Sequence, residues 1–343
     1  MHQALLTIAI PTYCRSQYLG LCLEQFLADK ALFSDGRVEL LILDNCSPDE
    51  TPAVVCRYQQ AGLVLRYIRH QENIGSDANF AQCFNLASGR YVQLLGDDDL
   101  YLPGMLARLL SDLSEGDYGV VILKSYGYEC DFKREHPGGA GQRKEFVQPD
   151  AYLYEVGQLI TFISACVINK QVQLEVDARD YCGSNLVQVH LVLLAILRTQ
   201  SNLYLTDYYL ACKRANSGGY DFSEVFVERL FNIARRYRNA GLSDVAIDAL
   251  ARKMLYAYYP FSLLRVRLEN KADLEAMKRR FRAEFGSRPA YLFWNAPILS
   301  FPRPFAIMWA LVAVFVGRIA NGDLRRGIHF AFNRFRSRGG GGS

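Results

Sequence analysis

The chain has 343 residues, 50% hydrophobic, 22% charged and 13% aromatic, which is too apolar and too aromatic for a disordered chain and lacks any collagen-like period. At about 100–200 residues per domain, that length makes one large domain or two smaller ones. The net charge of +4 conceals an asymmetry: residues 1–224 carry 18 Lys/Arg against 27 Asp/Glu, and residues 225–338 carry 21 against 8. An acidic front suits a cation-dependent site, and a basic, aromatic rear suits an anionic surface. The nine cysteines are scattered, with no C-x-x-C pair, which argues against a disulfide framework or zinc knuckle and for a reducing cytoplasm. The opening MHQALLTIAIPTY lacks the pattern of a secretory leader, and the closing GGGGS (339–343) has a linker composition and is set aside.

In chain order, Leu5 to Ile10 reads as a buried strand and Tyr18 to Leu27 as an amphipathic helix. Val38 to Leu43 is a second strand ending in DNCSPDET, where Ser47 or Asp49 is expected to cap a helix from about Pro52 to Ala61. Leu63 to Arg69 is a third strand, Ser76 to Ala87 a third helix, and Tyr91 to Leu95 a fourth strand running into GDDD. This alternation predicts an α/β domain, a mostly parallel sheet with helices on both faces. Ligands of such sheets bind beyond the carboxyl ends of the strands, where Pro11-Thr12-Tyr13, Asp44-Asn45 and Asp97-Asp98-Asp99 cluster. Further on, a strand is expected at Tyr118 to Ser125, a Gly-rich loop at HPGGAGQ, a helix at Asn185 to Leu197 and a strand at Leu203 to Thr206, followed by two or three basic helices over 222–285.

Three consecutive aspartates repel one another, and a fold tolerates them most easily when a hard divalent cation shares their oxygens. Mg²⁺ or Mn²⁺ held by few carboxylates leaves positions for substrate phosphates, and the absence of an HExxH or Cys/His set argues against zinc.

The segments TIAIPTYCR, VELLILDNCSPDET, ENIGSDANFAQCFNLASGRYVQLLGDDD and LYLPGML, over about residues 5–110, resemble the N-terminal half of family 2 glycosyltransferases with the GT-A (Rossmann-like) fold. GS-x-x-N before LLGDDD is most similar to the bacterial surface-polysaccharide branch that includes abequosyltransferase-like enzymes. The resemblance implies that Pro11, Thr12, Tyr13 and Arg15 line a nucleotide-sugar pocket with Tyr13 near the base, that Asp44 accepts a hydrogen bond from the base, and that Asn45 and Ser47 shape that loop. Asn73, Gly75 and Asn79 would lie along the cleft, Asp97 and Asp98 would contact the donor, and Asp97 and Asp99 would hold the metal. The distal half departs from the family pattern: Gln188 stands where an acidic base is expected, leaving His190 and Asp180 as alternative bases. Lys213 and Arg214 can stabilise the leaving diphosphate, and Asn216 falls where relatives place a metal-binding histidine.

In the rear, Phe305 to Gly317 is an apolar run of 13 residues, about 20 Å as a helix against a bilayer core of about 30 Å, and too short to span. It reads as a buried, re-entrant or interfacial helix. The segment beyond it places Ile328, Ala331, Phe332 and Phe335 near Arg325, Arg326, Arg334, Arg336 and Arg338, a basic amphipathic pattern suited to anionic lipid. No RNA-binding motif accompanies it, so no nucleic-acid partner is expected. The expected layout is a catalytic domain over 1–215, a helical extension over 216–290 and a membrane-associating segment over 291–338. The expected activity is transfer from a nucleoside diphosphate sugar to a lipid-linked (polyprenyl-diphosphate) glycan, in O-antigen or other surface-polysaccharide synthesis, peripherally bound at the cytoplasmic face of a bacterial inner membrane. The alternative is a catalytically silent, membrane-tethered glycan-binding or scaffold protein.

Overall fold

A computed structural model describes residues 3–214, 220–269 and 272–320; Asn216 and the basic segment 321–338 lie outside them. The first half alternates strand and helix as its periodicity predicts, with one short helix, α2, added: β1 (Leu6–Thr12), α1 (Ser16–Ala28), α2 (Lys30–Ser34), β2 (Val38–Asp44), α3 (Thr51–Gln60), β3 (Arg66–Arg69), α4 (Ser76–Leu86) and β4 (Tyr91–Leu94). β3, β2, β1 and β4 lie side by side and parallel, with Thr12 in register with Asp44. Every residue of β1 is buried, as a central strand covered on both faces must be.

The other half of the sheet is mixed. It contains β5 (Asp99–Tyr101), β6 (Val120–Tyr128), β7 (Arg143–Phe146), β8 (Cys166–Asn169) and β9 (Asn202–Lys213), and the order is β3-β2-β1-β4-β8-β6-β9-β5, with β7 also on β9. β8 runs antiparallel to both β4 and β6, while β9 runs parallel to β6 and antiparallel to β5 and β7. The expectation of a mostly parallel sheet therefore holds for its first four strands only. The strand expected at Leu203 to Thr206 is the first part of the 12-residue β9, whose later half alternates around a bulge against β6.

One face of the sheet packs on α1, α3 and α5 (Met105–Ser114), and the other on α4, α6 (Pro149–Val156), α7 (Val187–Arg198) and the C-terminal helices. Those are α8 (Leu230–Arg236), α9 (Asp244–Lys253), α10 (Tyr259–Glu269, joined to α9 by the π-helical turn Met254–Tyr258), α11 (Leu274–Phe285), α12 (Ala296–Ser300) and α13 (Arg303–Ala320). Their aromatic residues interlock, Tyr259 meeting Phe281 at 5.0 Å and Phe231 meeting Phe285 at 5.1 Å. α13 inverts the usual amphipathic pattern: Ala306, Ala310 and Ala313 are buried, whereas Phe305, Met308, Leu311, Val312, Phe315, Val316 and Ile319 are exposed. Among the described residues, no helix is long and apolar enough to cross a membrane.

The turn entering β4 leaves no room for a side chain. A Cβ at Gly89 would lie 2.6 Å from the Thr7 backbone nitrogen and 2.9 Å from the Leu6 carbonyl carbon. Overpacking against backbone typically costs about 1–3 kcal/mol, so Gly89→Ala is expected to lower the urea midpoint by that amount of stability with an unchanged slope.

Candidate functional site

The C-terminal ends of β1, β2 and β4 share one edge, and the loops leaving them are tied together. The Cys14 amide donates to Ser47 Oγ at 2.9 Å, and the Ser16 amide to Asp49 Oδ2 at 3.0 Å. Asp49 Oδ1 also receives the Thr51 amide at 3.1 Å, so of the two expected caps Asp49 braces the start of α3 while Ser47 holds the neighbouring loop. Cys14 (φ 54°) and Cys46 (φ 65°) occupy left-handed backbone conformations, sparsely populated by residues other than glycine and held here by these cross-loop bonds.

Asp44 is fully buried. Its Oδ1 accepts from the Ser47 amide at 2.8 Å, and its Oδ2 accepts from the Tyr67 hydroxyl at 2.6 Å with Arg69 Nε at 3.5 Å. Asn45, Asn73 and Gly75 form a second network: Asn45 Nδ2 donates to Asn73 Oδ1 at 2.8 Å, which also accepts the Gly75 amide at 2.9 Å, and Asn45 Oδ1 accepts the Ile74 amide at 2.9 Å. Asn79 donates to the Leu43 carbonyl at 3.2 Å and pairs with His70 at 3.1 Å. These side chains thus brace the two loops. Tyr13 is 42% exposed beside them and offers a ring face.

The acidic triplet sits at the centre. Asp97 is buried, accepting from Thr12 Oγ1 at 2.8 Å and pairing with Arg15 Nε at 2.7 Å, and the Arg15 Nη2 meets Asp98 Oδ2 at 2.7 Å. Asp99 is buried against Ser164, whose hydroxyl donates to Asp99 Oδ2 at 2.5 Å while accepting the Gly96 amide at 2.9 Å. Burial, aided by the Asp98 charge, pushes the Asp99 carboxyl up to about 7. Burial also raises Asp97 to about 6, against the opposing pull of Arg15 and Thr12.

Whether these residues fit a cation is decided at Gly96. A Cβ there would lie 3.1 Å from both Asp98 Oδ1 and Asp99 Oδ2, so the glycine leaves open a space onto which two carboxylates converge. The donors are all oxygen, suited to Mg²⁺ or Mn²⁺. Among the described residues no three His, Cys, Asp or Glu side chains gather as a metal-holding group. The expected pair Asp97 and Asp99 differs from this arrangement: Thr12 and Arg15 turn the Asp97 carboxylate to the β1 side, and Asp98 takes its place beside Asp99.

Of the two base candidates, His190 is 2% exposed, its ring stacked 4.2 Å from Tyr181 and its Nδ1 sharing a hydrogen bond with the Tyr237 hydroxyl at 3.0 Å. Burial, with a lesser push from Arg236, lowers its pKa to about 4. Its role as base is corrected to that of a packed interior side chain, because no acceptor hydroxyl reaches a ring closed in this way. Gln188 is also buried, donating to the Thr161 carbonyl at 2.9 Å. Asp180 stands exposed on the turn Ala178–Tyr181. The loop that follows is fastened to the first turn of α4 by Asp77, whose Oδ2 accepts the Gly183 and Asn185 amides at 2.8 and 2.9 Å.

The β5–β9 pairing sets Asp99 opposite Cys212, bringing Lys213 and Arg214 to the triplet's edge. Lys213 donates to the Glu129 carbonyl beside the Tyr128 ring, and the Arg214 amide donates to the Tyr128 carbonyl at 3.0 Å. Ser164 and Cys212, both in contact with Asp99, are site residues the sequence reading passed over; neither lies in a motif, and only the tertiary fold carries them here.

Residues 7–170 match the family model Glycosyl transferase family 2. The abequosyltransferase RfbV of Salmonella typhimurium is 24% identical over 234 residues, 62% of this chain and 67% of that protein. An uncharacterized glycosyltransferase of Mycoplasma pneumoniae is 32% identical over 125 residues, and the matched part spans only 40% of its length. Among solved structures, S. aureus TarS 1–349 in complex with UDP-GlcNAc superposes with a TM-score of 0.60 at 17% identity, covering 92% of each chain. The mannosyltransferase PcManGT of Pyrobaculum calidifontis, in complex with GDP-Man and Mn²⁺, gives 0.50 at 14% identity over 92% of this chain and 88% of its own. The α/β sheet with its added helices is thus a GT-A-like fold.

The buried imidazole makes a pH prediction. The unfolded chain takes up a proton on His190 below the ordinary value of 6.5, and the folded chain only near 4. Stability therefore falls as pH drops through that window. Denaturation midpoints between pH 7 and 4.5 should show this fall, and His190→Gln should flatten it while leaving turnover of the folded protein within about threefold, a change of under about 1 kcal/mol in barrier.

Proposed function

We propose that this chain, which carries a Glycosyl transferase family 2 domain over residues 7–170, moves a sugar from a nucleoside diphosphate sugar to a hydroxyl of a lipid-linked glycan. The observation that carries this reading is the convergence of Asp98 and Asp99 over Gly96, at the strand ends where such sheets bind their ligands. Tyr13 would stack on the base, with Asp44, Asn45 and Asn73 fixing the loop beneath it. Asp97, clamped by Thr12 and Arg15, would face the ribose. Asp98 and Asp99 would hold Mg²⁺ or Mn²⁺, which when bound neutralises charge on the leaving diphosphate. Lys213 and Arg214 would add positive charge on the β9 side. Asp180, the candidate base left in contact with solvent, would take the acceptor proton.

The likeness to RfbV supports an acceptor in O-antigen or a related surface polysaccharide. The outward apolar face of α13 supports peripheral attachment to the membrane that holds such an acceptor, because a lipid-linked glycan does not leave its bilayer.

Two measurements test this. Nucleoside diphosphate release across a panel of donors should cease with EDTA and return with Mn²⁺ or Mg²⁺, and Asp98→Ala and Asp99→Asn should each lower kcat by about 10²-fold or more, the scale of losing one transition-state charge contact. Donor binding without turnover on any acceptor would favour the silent glycan-binding alternative. Liposome flotation tests attachment: Leu311→Glu with Phe315→Glu should release the protein from anionic vesicles while leaving nucleotide release on a soluble acceptor unchanged.

A further inference from the structure

Beside α4 runs a segment, residues 177–185, that the donor contacts leave unused apart from Asp180. α4 follows Gly75, whose amide belongs to the Asn45–Asn73 network, and two residues later the Asp77 carboxylate accepts the Gly183 and Asn185 amides. At the other end of α4, Asn85 Nδ2 donates to Asp177 Oδ1 at 2.6 Å, and Asn85 Oδ1 accepts the Ala178 amide at 3.0 Å. One helix therefore carries the donor loop at its start and grips this segment at both ends, so loop and segment keep a fixed relation to each other.

Within the segment, Asn185 is exposed and has a left-handed backbone, φ 56°, with Gly183 at 89°. Such a conformation is costly for a residue with a side chain and persists where its surroundings over-determine it, as they do at binding sites. Two elements hold it here. Asp77 takes its amide, and Arg229 takes its side chain: Arg229 Nη1 donates to Asn185 Oδ1 at 2.6 Å and to the Gly183 carbonyl at 2.8 Å. The Arg229 Nη2 in turn pairs with Glu224, so the guanidinium is itself fixed.

A guanidinium has donors only, so the atom it meets is the amide oxygen, and the Asn185 NH₂ group is turned the other way. Among the described residues that NH₂ meets no acceptor. An asparagine that served only a left-handed turn would need no partner for its side chain. This one is tied through its oxygen, which leaves two N–H donors exposed, pointing one way and already immobilised; a ligand that uses them has little further ordering to impose.

We propose that Asn185 is a specificity-determining contact for the acceptor, its NH₂ donating to hydroxyl oxygens of the sugar unit that receives the transferred residue, with Arg229 as its positioning residue. The ligand class follows from the group and its place: an uncharged pair of N–H donors suits neutral hydroxyls, and Asp77 sets it one helical turn from the donor loop. The word acceptor rests on the transferase reading above; the binding of a glycan at Asn185 does not.

The test uses the full chain and a panel of methyl glycosides, of mannose, galactose, rhamnose and N-acetylglucosamine, as acceptor probes. Nucleoside diphosphate release from each donor is measured with and without them, which separates transfer from hydrolysis in water, and saturation-transfer NMR reads glycoside binding directly. Asn185→Gly removes the amide and keeps the left-handed backbone, which glycine adopts without strain. It should raise the acceptor KM and the glycoside Kd about three- to tenfold, the scale of one uncharged hydrogen bond, while release in water and the donor KM stay within about twofold. Arg229→Lys, which keeps the charge beside Glu224 but not the fork, should shift the acceptor KM in the same direction. An unchanged glycoside Kd in Asn185→Gly overturns the proposal, as does an equal loss of release in water, or a wild-type chain that binds none of the glycosides. Glycoside binding that depends on Asn185 without any nucleotide release refutes the transferase reading alone, and release with glycoside binding indifferent to Asn185 refutes this inference alone.

Discussion

Three adjacent carboxylates at the mouth of a buried strand must be compensated, and Arg15 is the compensation the chain supplies itself. Its guanidinium spans Asp97 and Asp98 at 2.7 Å each, a fork geometry that a lysine cannot reproduce. The contact locks the loop after β1 to the loop after β4, and the Ser47 and Asp49 bonds lock it to the loop after β2. Three separately encoded strand ends thereby become one rigid edge. What Arg15 does not reach is Asp99, which is held instead by the Ser164 hydroxyl.

The helical half of the protein solves a different problem. α13 lays small residues on its neighbours and leaves its large ones outward, which brings backbones close while forgoing much of the burial its own Phe and Leu side chains offer. In water alone, that choice wastes apolar area at about 25 cal/mol per Å². It becomes favourable only where the outward face meets something apolar, which is what the attachment proposed above would supply.

Much of this was legible in the sequence, and the limits have physical causes. β1 to β4 and α1, α3 and α4 follow directly from apolar runs punctuated by Pro, Gly and Asp, because local periodicity and local capping agree there, whereas the five-residue α2 was too short to show. β8 was missed because CVIN is four residues inside a stretch of 3₁₀ turns, too short for alternation to show. β5 was hidden because its first residue belongs to the acidic triplet. At the site, the residue types were readable and their directions were not: successive aspartates point differently, so which of them meet is a property of Thr12, Arg15 and Ser164, contributed by other elements. His190 shows the converse, since an imidazole on an apolar helix looks alike in sequence whether it serves chemistry or packing, and Tyr181 and Tyr237 decide for packing.

The pairing of β5 with β9 has a consequence for how the molecule is assembled. Asp99 is held in place by a strand whose partner residue, Cys212, comes 113 positions later, beyond the end of the matched segment at residue 170. Closing so long a stretch of chain is slow and entropically costly. Synthesis of the first 170 residues therefore leaves an unfinished sheet edge, and the acidic mouth takes its final shape only when the last strand slides in between β6 and β5.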